Sequence, residues 1–269
     1  VFDEWNGGEL DSFLIEITAN ILRFRDEDGK PLLDKILDVA GQKGTGKWSA
    51  IAAMDENDPL TLITEAVYAR LLSALYPERI KAASLYSGKL KVESGKLSDN
   101  AQLSIEDVRQ ALYAAKLISY AQGFSLLRHA SEHYGWDLDY GTIARIWRKG
   151  CIIRSVFLQK ITEAYRKDPD LENLLFDDFF HTKIQEALPA WRRVVAEGAL
   201  SGVALPAMSS ALNYFDGLRT LYSAANMIQA QRDYFGAHTY ERTDRERGHF
   251  FHTNWTGEGG NTVSGTYSV

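Results

Sequence analysis

The stretch Ser104-Ile-Glu-Asp-Val-Arg-Gln-Ala-Leu-Tyr-Ala-Ala-Lys-Leu-Ile-Ser-Tyr-Ala-Gln-Gly-Phe124 decides how the rest of this chain is interpreted. Ser104 followed three residues later by Asp107 resembles a capping box with a shorter acid, which marks the start of a helix. Apolar residues then recur at helical spacing to about His133, at Val108, Leu112, Ala115, Ile118 and Phe124. At about 1.5 Å per residue this helix would be roughly 45 Å long. Such a helix is typical of the spine of a bundle, and it predicts an all-α fold.

Apolar residues also recur at helical spacing on both sides of this central helix. Alternation with period two, which would indicate a sheet, is not sustained anywhere. Asp58 before Pro59 reads as an N-cap and a first helical residue. The patterns predict helices over 10–21, 32–40, 59–75, 142–147, 156–167, 171–195 and 206–228. We therefore expect a large all-helical domain over residues 1–240, built around long helices, and an extended tail over residues 241–269.

Composition limits the class of protein. The chain has 269 residues, 45% of them hydrophobic, which is enough to bury a sizeable core. Its net charge of -6 argues against general nucleic-acid binding but permits a local cationic pocket for a small anion. The single cysteine, Cys151, fits a reducing compartment, so we expect a cytoplasmic protein. No apolar run approaches the roughly 20 residues that span a bilayer, so no membrane partner is expected.

The loop Gly41-Gln-Lys-Gly-Thr-Gly-Lys-Trp48 is the first candidate binding element. Its three glycines let the backbone approach a ligand closely and let its amides point at an anion. It nearly matches a nucleotide P-loop, but Trp48 replaces the hydroxyl residue that would hold magnesium, and a helical run precedes it instead of a strand. A different anion-binding loop is the stronger functional interpretation. The alternative is a glycine-rich turn between helices with solvated lysines.

Three further cationic side chains are candidates for an anion site. Arg70 lies beside the apolar stripe of the 59–75 helix, where it either reaches a ligand or covers apolar surface with its stem. Arg232 and His238 belong to Gln229-Ala-Gln-Arg-Asp-Tyr-Phe-Gly-Ala-His-Thr-Tyr240, where a helical run stops at Gly236. An arginine and a histidine at a helix stop form a plausible anion site.

Two other features allow a functional and a structural interpretation. His129 and His133 have a spacing that can bind a metal, but no third ligand is evident, and two solvated histidines are the stronger expectation. Cys151 has Arg148, Lys149 and Arg154 nearby, which would lower a thiol pKa, although a small buried filler is the commoner role.

The tail differs in kind from the helical part. Residues 241–247 are highly charged, and residues 257–265 are too rich in glycine and polar residues to form a core. Phe250, Phe251 and Trp255 lie between them. These aromatics favour an arm that docks on another surface, and the alternative is a locally packed aromatic hook with a frayed end.

Several blocks, in order along the chain, resemble the 6-phosphogluconate dehydrogenases. The most specific runs from Ile228 to Glu241, with Gln-Arg-Asp-Tyr-Phe-Gly-Ala-His at its centre. The others are Leu10-Asp-Ser-Phe-Leu-Ile-Glu-Ile-Thr18, Ala40-Gly-Gln-Lys-Gly-Thr-Gly-Lys-Trp48, Ile118-Ser-Tyr-Ala-Gln-Gly123, Gly150-Cys-Ile-Ile-Arg-Ser155 and His252-Thr-Asn-Trp255. Together they cover essentially the whole chain, but they belong only to the family's C-terminal, all-helical part. Lys149 stands where the family commonly has glycine, and Asn261 resembles an insertion.

The resemblance implies roles for particular residues. Family substrate contacts fall on Lys43, Thr45 and Arg70 of one subunit and on Arg232 and His238 contributed by the partner subunit. Arginine's planar fork suits phosphate, so Arg70 and Arg232 would hold the phosphate, and the others would bind the remaining polar groups.

The tail carries a further implied contact. Family members thread it into the partner subunit of a homodimer, where residues resembling Ser264, Gly265, Thr266 and Tyr267 approach the cofactor.

The resemblance also implies the reaction: oxidation of 6-phosphogluconate with NADP and decarboxylation to ribulose 5-phosphate, without a metal. This chain has no strand followed by G-x-G-x-x-G, the mark of the family's N-terminal Rossmann domain, nor the long helix with the family's catalytic lysine and glutamate. We therefore expect no catalytic residue here and no turnover by this chain alone. The alternative functions are a non-catalytic helical module that dimerises and, more remotely, a P-loop nucleotide enzyme.

Overall fold

The structure, a computed structural model, describes residues 1–86 and 103–257. The chain divides into two compact units, Val1–Phe215 and Asp216–Val269. The boundary expected at residue 240, between the helical domain and the tail, remains a prediction. Each unit is described by itself.

The first unit is helical. Its elements are α1 (Phe2–Asn6), α2 (Phe13–Arg23), α3 (Thr45–Asp55), α4 (Thr61–Ala74), α5 (Tyr76–Tyr86), α6 (Ile105–Tyr134), α7 (Tyr140–Ile146), α8 (Leu158–Lys167), α9 (Asp178–Leu200) and α10 (Pro206–Leu218), with 3₁₀ turns at Leu32–Lys35 and Leu174–Phe176. The last residues of α10 belong to the second unit, which contains α11 (Ala225–Gly236) and a short antiparallel pair, β1 (Tyr240–Glu241) and β2 (Phe250–Phe251). The all-α expectation is confirmed. No described helix combines the length and the apolar content needed to cross a bilayer.

Helix α6 is the central element of the first unit, as predicted. Ser104 and Asp107 form the expected capping box: the Asp107 amide donates to the Ser104 hydroxyl at 3.0 Å, and the Ser104 amide donates to the Asp107 carboxylate at 2.9 Å. The Ser104 amide, the Arg193 guanidinium and the Ser104 hydroxyl all donate to the carboxylate and lower the pKa of Asp107 to about 2. Helix α9 packs along α6, and Ile118, Phe124 and Trp191 are almost completely buried. The capping box and this apolar seam explain why the spine forms here.

A buried amide on α6 fixes the start of α4. The Gln122 side chain is inaccessible to solvent, accepts a hydrogen bond from the Leu62 amide at 3.0 Å and donates to the Thr61 hydroxyl at 2.8 Å. The first amides of a helix lack intrahelical partners. Gln122 therefore acts as a tertiary N-cap for the helix that carries Arg70.

The prediction that Asp58 caps α4 is wrong. The helix begins at Thr61, after Leu60. The Asp58 carboxylate instead accepts from the Ser125 hydroxyl at 2.7 Å and lies 2.8 Å from His129 Nδ1. Both contacts with α6 are made by Oδ2, and Oδ1 is buried without a hydrogen-bond partner among the described residues, so neither oxygen caps the first turn of α4.

Three other helix predictions need correction. The segment 32–40 forms only the 3₁₀ turn, and Ile36 and Leu37 remain more than half exposed, so no core stabilises a longer helix there. The run 206–228 is broken between α10 and α11, where the Thr220 hydroxyl donates to the Asp216 carbonyl at 2.6 Å. Helix α7 begins at Tyr140, before the predicted start at residue 142, because Asp139 caps it, accepting from the Thr142 amide at 2.8 Å.

Candidate functional site

The glycine-rich loop ends in a tight entry to α3. Gly44 has φ of 109°, a left-handed conformation that favours glycine, and Thr45 is the first helical residue. A Cβ placed on Gly46 would lie 2.7 Å from Val67 Cγ2 on α4. Glycine at position 46 is therefore required for the close approach of α3 and α4, which sets the Lys43–Thr45 turn against the helix that carries Arg70.

Hydrogen bonds connect the start of the loop to the Arg70 turn of α4. The Ala40 amide donates to the Ser73 hydroxyl oxygen at 2.9 Å, and that hydroxyl donates to the Arg70 carbonyl at 2.6 Å. Arg79 binds both the Asp38 carbonyl, at 3.2 Å, and the Ser73 carbonyl, at 3.1 Å. These contacts anchor the backbone at Asp38 and Ala40, directly before Gly41.

The cations of this region are exposed and uncompensated. Within the described residues, the side chains of Lys43, Lys47 and Arg70 make no hydrogen bond and no ion pair. Most other arginines of the first unit, such as Arg109 with Glu9 and Glu106, are paired with carboxylates. An exposed lysine and arginine beside the Thr45 hydroxyl at a helix N-terminus are suited to an anionic, polyhydroxylated ligand.

The P-loop interpretation does not fit this geometry. Among the described residues 1–86, the loop follows a 3₁₀ turn and irregular chain, not a strand, and the Trp48 side chain is 66% exposed on α3. The strand and the hydroxyl on which P-loop chemistry depends are both missing at this position.

The second unit places Arg232 and His238 at the end of α11. Ala237 adopts a left-handed conformation and its amide donates to the Asp233 carbonyl at 2.9 Å, which closes the helix. A Cβ on Gly236 would lie 2.8 Å from the His238 ring, so glycine lets the imidazole fold over the helix end. Arg232 is half-buried and donates to the Gln229 side chain at 3.1 Å.

A buried carboxylate attaches the start of the tail to α11. Asp233 is inaccessible to solvent and accepts from His252 Nδ1 at 2.9 Å, from the Thr253 amide at 3.0 Å and from Trp255 Nε1 at 2.8 Å. Burial raises the pKa of this carboxyl, but the three donors together outweigh burial, and the pKa lies below its usual range. Residues 250–255 therefore pack locally as an aromatic hook, whereas docking on a partner remains a prediction.

The remaining candidates have local partners or lie outside the described residues. His129 is half-buried against Asp58, so the expectation of a solvated histidine is wrong there, whereas His133 is exposed as expected, with Nδ1 2.8 Å from a Glu56 carboxylate oxygen. No group of three metal-ligating side chains occurs among the described residues. Cys151 is a half-buried free thiol. The tail residues Ser264, Gly265, Thr266 and Tyr267 fall outside the described part of the chain.

One buried cation was not anticipated. Lys116 lines a cavity of about 460 Å³, and its buried Nζ lies 5.3 Å from the centre of the Phe157 ring without a hydrogen-bond acceptor among the described residues. Burial lowers the pKa of this ammonium to about 8. A lysine in an amphipathic helical stretch is normally expected on the exposed face of the helix. Sequence periodicity alone therefore gave no indication that Lys116 is buried.

Sequence reasoning also missed the residues that hold the cations in place. Ser73, Gln122 and Gln229 are uncharged, and their partners lie between 3 and 61 positions away in the chain. Gln229 lies three residues before Arg232, and Ser73 lies three residues after Arg70. This spacing is the only sequence signal that could have indicated their roles.

Comparison with known proteins gives one consistent result. The family model described as the C-terminal domain of 6-phosphogluconate dehydrogenase matches residues 1–255. The chain is 55% identical to the decarboxylating 6-phosphogluconate dehydrogenase of Rattus norvegicus over 268 residues, covering all of this chain and 55% of that protein. The Cunninghamella elegans and Homo sapiens enzymes of the same name are 56% and 54% identical, again over 55% of their length. The chain thus spans about half the length of these relatives.

A solved structure supports the same relationship. Plasmodium falciparum 6-phosphogluconate dehydrogenase, described in its apo form and in complexes with its cofactor NADP+ and its substrate 6-phosphogluconate, superposes with a TM-score of 0.85 and 42% identity. The match covers 94% of this chain and 54% of that one. The resemblance expected from the sequence blocks is confirmed, and the chain belongs to the 6-phosphogluconate dehydrogenase family, of which it represents the C-terminal domain.

Proposed function

We propose that this chain is the substrate-binding and dimerisation part of a decarboxylating 6-phosphogluconate dehydrogenase. The whole enzyme oxidises 6-phosphogluconate with NADP, without a metal, and releases CO₂ and ribulose 5-phosphate. The observation that carries the proposal is the pair of uncompensated cations Lys43 and Arg70 on two elements that Gly46 and Ser73 hold together. A sugar phosphate with a carboxylate supplies the negative charges and hydroxyls that these side chains require.

Each site residue has a role in this proposal. Arg70 and Arg232 bind the phosphate through their planar forks, and Lys43, Thr45 and His238 bind the polyol or carboxylate end. Arg232 and His238 come from the second copy in a homodimer, as the family resemblance implies. Ser264, Gly265, Thr266 and Tyr267 of the exchanged tail approach the cofactor. The lysine and glutamate that perform the acid–base steps belong to the part of the family that this chain does not cover, so the chain alone is expected not to turn over.

Exposed apolar side chains support an interface on the first unit. Trp48, Met54, Leu72 and Leu85 on α3, α4 and α5 are each more than 60% exposed. Side chains of this size, exposed together on consecutive helices, favour a contact with another protein surface. A second copy, and the remainder of a full-length enzyme, are the partners we propose. The single cysteine supports action in the cytoplasm.

The substrate assignment is tested by arginine variants of the full-length enzyme that carries this domain. Arg70→Ala and Arg232→Ala should each raise the KM for 6-phosphogluconate roughly 10- to 100-fold, since a charge-assisted hydrogen bond contributes about 1.5–3 kcal/mol. Arg70→Lys should recover only part of the loss, because lysine keeps the charge but not the fork. Arg166→Ala is the control, since Arg166 is exposed and has no side-chain partner among the described residues. An unchanged KM in Arg232→Ala would remove that residue from the site.

The activity of the chain itself is tested directly. Reduced nicotinamide formation from 6-phosphogluconate and NADP is measured on the sample, and its intact mass is taken on the same material. We expect no turnover from material with the mass of the 269-residue chain. Turnover at that mass would contradict the assignment of the catalytic groups to another part of the enzyme.

A further inference from the structure

The side chain of Gln229 connects two parts of the second unit. Its Oε1 accepts a hydrogen bond from the Arg232 guanidinium at 3.1 Å, and its Nε2 donates to the Thr239 carbonyl at 2.6 Å. The amide orientation is determined by these partners, because a flipped amide would set donor against donor at Arg232 and acceptor against acceptor at Thr239. One half-buried amide thus spans the end of α11, from the arginine to the residue that follows His238.

This connection leaves the charge of Arg232 intact. Gln229 is a neutral acceptor, and no carboxylate pairs with Arg232 among the described residues. The guanidinium has five N–H donors, of which this bond uses one. The neighbouring carboxylate, Asp233, is occupied by His252, Thr253 and Trp255. The arginine is therefore held in one orientation while its remaining donors and its positive charge stay available to an anion.

We propose that Gln229 is a positioning residue, which orients Arg232 and fixes the backbone beside His238 so that both side chains meet one phosphorylated ligand. The inference rests on the proposed function, because it assigns the phosphate of the sugar phosphate to Arg232. Gln229 itself does not contact the ligand; it acts through its two hydrogen bonds.

The test uses two substitutions of Gln229 in the full-length enzyme and a control on the same helix. Gln229→Met removes both hydrogen bonds. Gln229→Glu keeps the size of the side chain, but its carboxylate neutralises Arg232 and cannot donate to the Thr239 carbonyl. Gln231→Met is the matched control, because Gln231 is exposed and its side chain makes no hydrogen bond among the described residues. Initial rates give kcat and the KM for 6-phosphogluconate and, separately, for NADP.

We expect Gln229→Met and Gln229→Glu to raise the KM for 6-phosphogluconate about tenfold, with kcat and the KM for NADP changed less than twofold. The control should change no constant more than twofold. An unaltered KM for 6-phosphogluconate in both Gln229 variants overturns the inference. A fall in kcat and a rise in the KM for NADP that are as large as the rise in the KM for 6-phosphogluconate also overturn it, since such changes would indicate general structural damage.

The Arg232→Ala background separates this inference from the proposed function. Because Gln229 acts in part through Arg232, adding Gln229→Met to Arg232→Ala raises the KM by less than the tenfold expected without that substitution, and the remaining rise reports the Thr239 bond beside His238. A full additional tenfold rise would show that Gln229 acts independently of Arg232. If Arg232→Ala alone leaves the KM unchanged, the phosphate assignment itself fails. If Arg232→Ala raises the KM and Gln229→Met does not, only the positioning role fails.

Discussion

The Ala40 amide donates a 2.9 Å hydrogen bond to Ser73, across 33 positions of the chain. Because the Ser73 hydroxyl donates in turn to the Arg70 carbonyl, one small side chain joins the start of the glycine-rich loop to the turn of α4 that carries a proposed phosphate ligand. The position of Lys43 therefore depends on Ser73, a residue with no assigned role in binding the ligand.

Replacing Ser73 with alanine tests this dependence. We expect the KM for 6-phosphogluconate in the full-length enzyme to rise about fivefold, because a lost hydrogen bond of roughly 1 kcal/mol loosens the loop. Steady-state kinetics check the value. Ser209→Ala is the control, since the Ser209 side chain makes no hydrogen bond among the described residues. An unchanged KM in Ser73→Ala would show that the loop is held by other contacts.

Gly46 is predicted to be intolerant of even a methyl group. In Gly46→Ala the new Cβ would lie 2.7 Å from Val67 Cγ2, and overpacking of this kind costs about 1–3 kcal/mol. Denaturant unfolding measures the change. Combining Gly46→Ala with Val67→Ala should destabilise the protein less than the sum of the two single changes, because the second substitution removes the clash.

The control for this substitution is Gly123→Ala in the middle of α6. No heavy atom lies within 4 Å of a Cβ built there, so alanine should stabilise the helix by up to about 1 kcal/mol. Equal stability of the Gly46→Ala and Gly123→Ala proteins would contradict the close approach of α3 and α4.

Lys116 should make the stability of this chain depend on alkaline pH. Burial lowers its folded pKa to about 8 from the ordinary lysine value of 10.5, so between these values the unfolded state binds more protons. The free energy of unfolding should therefore rise as pH increases from about 8 to 10.5, by about 1–3 kcal/mol. Chemical unfolding across this pH range measures the slope.

Lys116→Met should abolish that slope and stabilise the chain at pH 7, since it removes an unpaired buried ammonium. Lys81→Met is the control, because Lys81 is exposed and has no side-chain partner among the described residues. A slope that survives in Lys116→Met would assign the pH dependence to another group.

Asp233 should hold the aromatic hook on α11. In Asp233→Ala the Thr253 amide loses its acceptor, and its hydrogen exchange should accelerate about tenfold or more through local opening. The Ala237 amide, which donates to the backbone carbonyl of residue 233, should keep its protection. Exchange is followed by NMR, with Asp244→Ala as the control. Unchanged exchange at Thr253 would mean that β1 and β2 hold the hook without the carboxylate.

The helical spine and the site residues differ in how well the sequence predicted them. The Ser104–Asp107 capping box and the apolar spacing of α6 are local signals, and both were confirmed. Asp58 was wrongly assigned to α4, because the same carboxylate can cap a helix or bind a distant histidine, and only the position of His129 decides between them. The segment 32–40 has helical spacing, but its apolar face remains exposed. The spacing of apolar residues identifies the apolar face of a helix, but it does not show whether another part of the protein covers that face.

From the sequence alone follow the all-α class, the central helix, the family and the cationic residues of the proposed site, because periodicity, caps and motif blocks are properties of neighbouring residues. The tertiary structure alone decided that Gln122 caps α4, that Ser73 links the loop to Arg70, that Lys116 is buried without an acceptor and that Asp233 binds the tail. Hydrogen bonds and burial depend on which groups meet after folding. Uncharged connectors such as Ser73 and Gln122 therefore become recognisable only when their partners are in place.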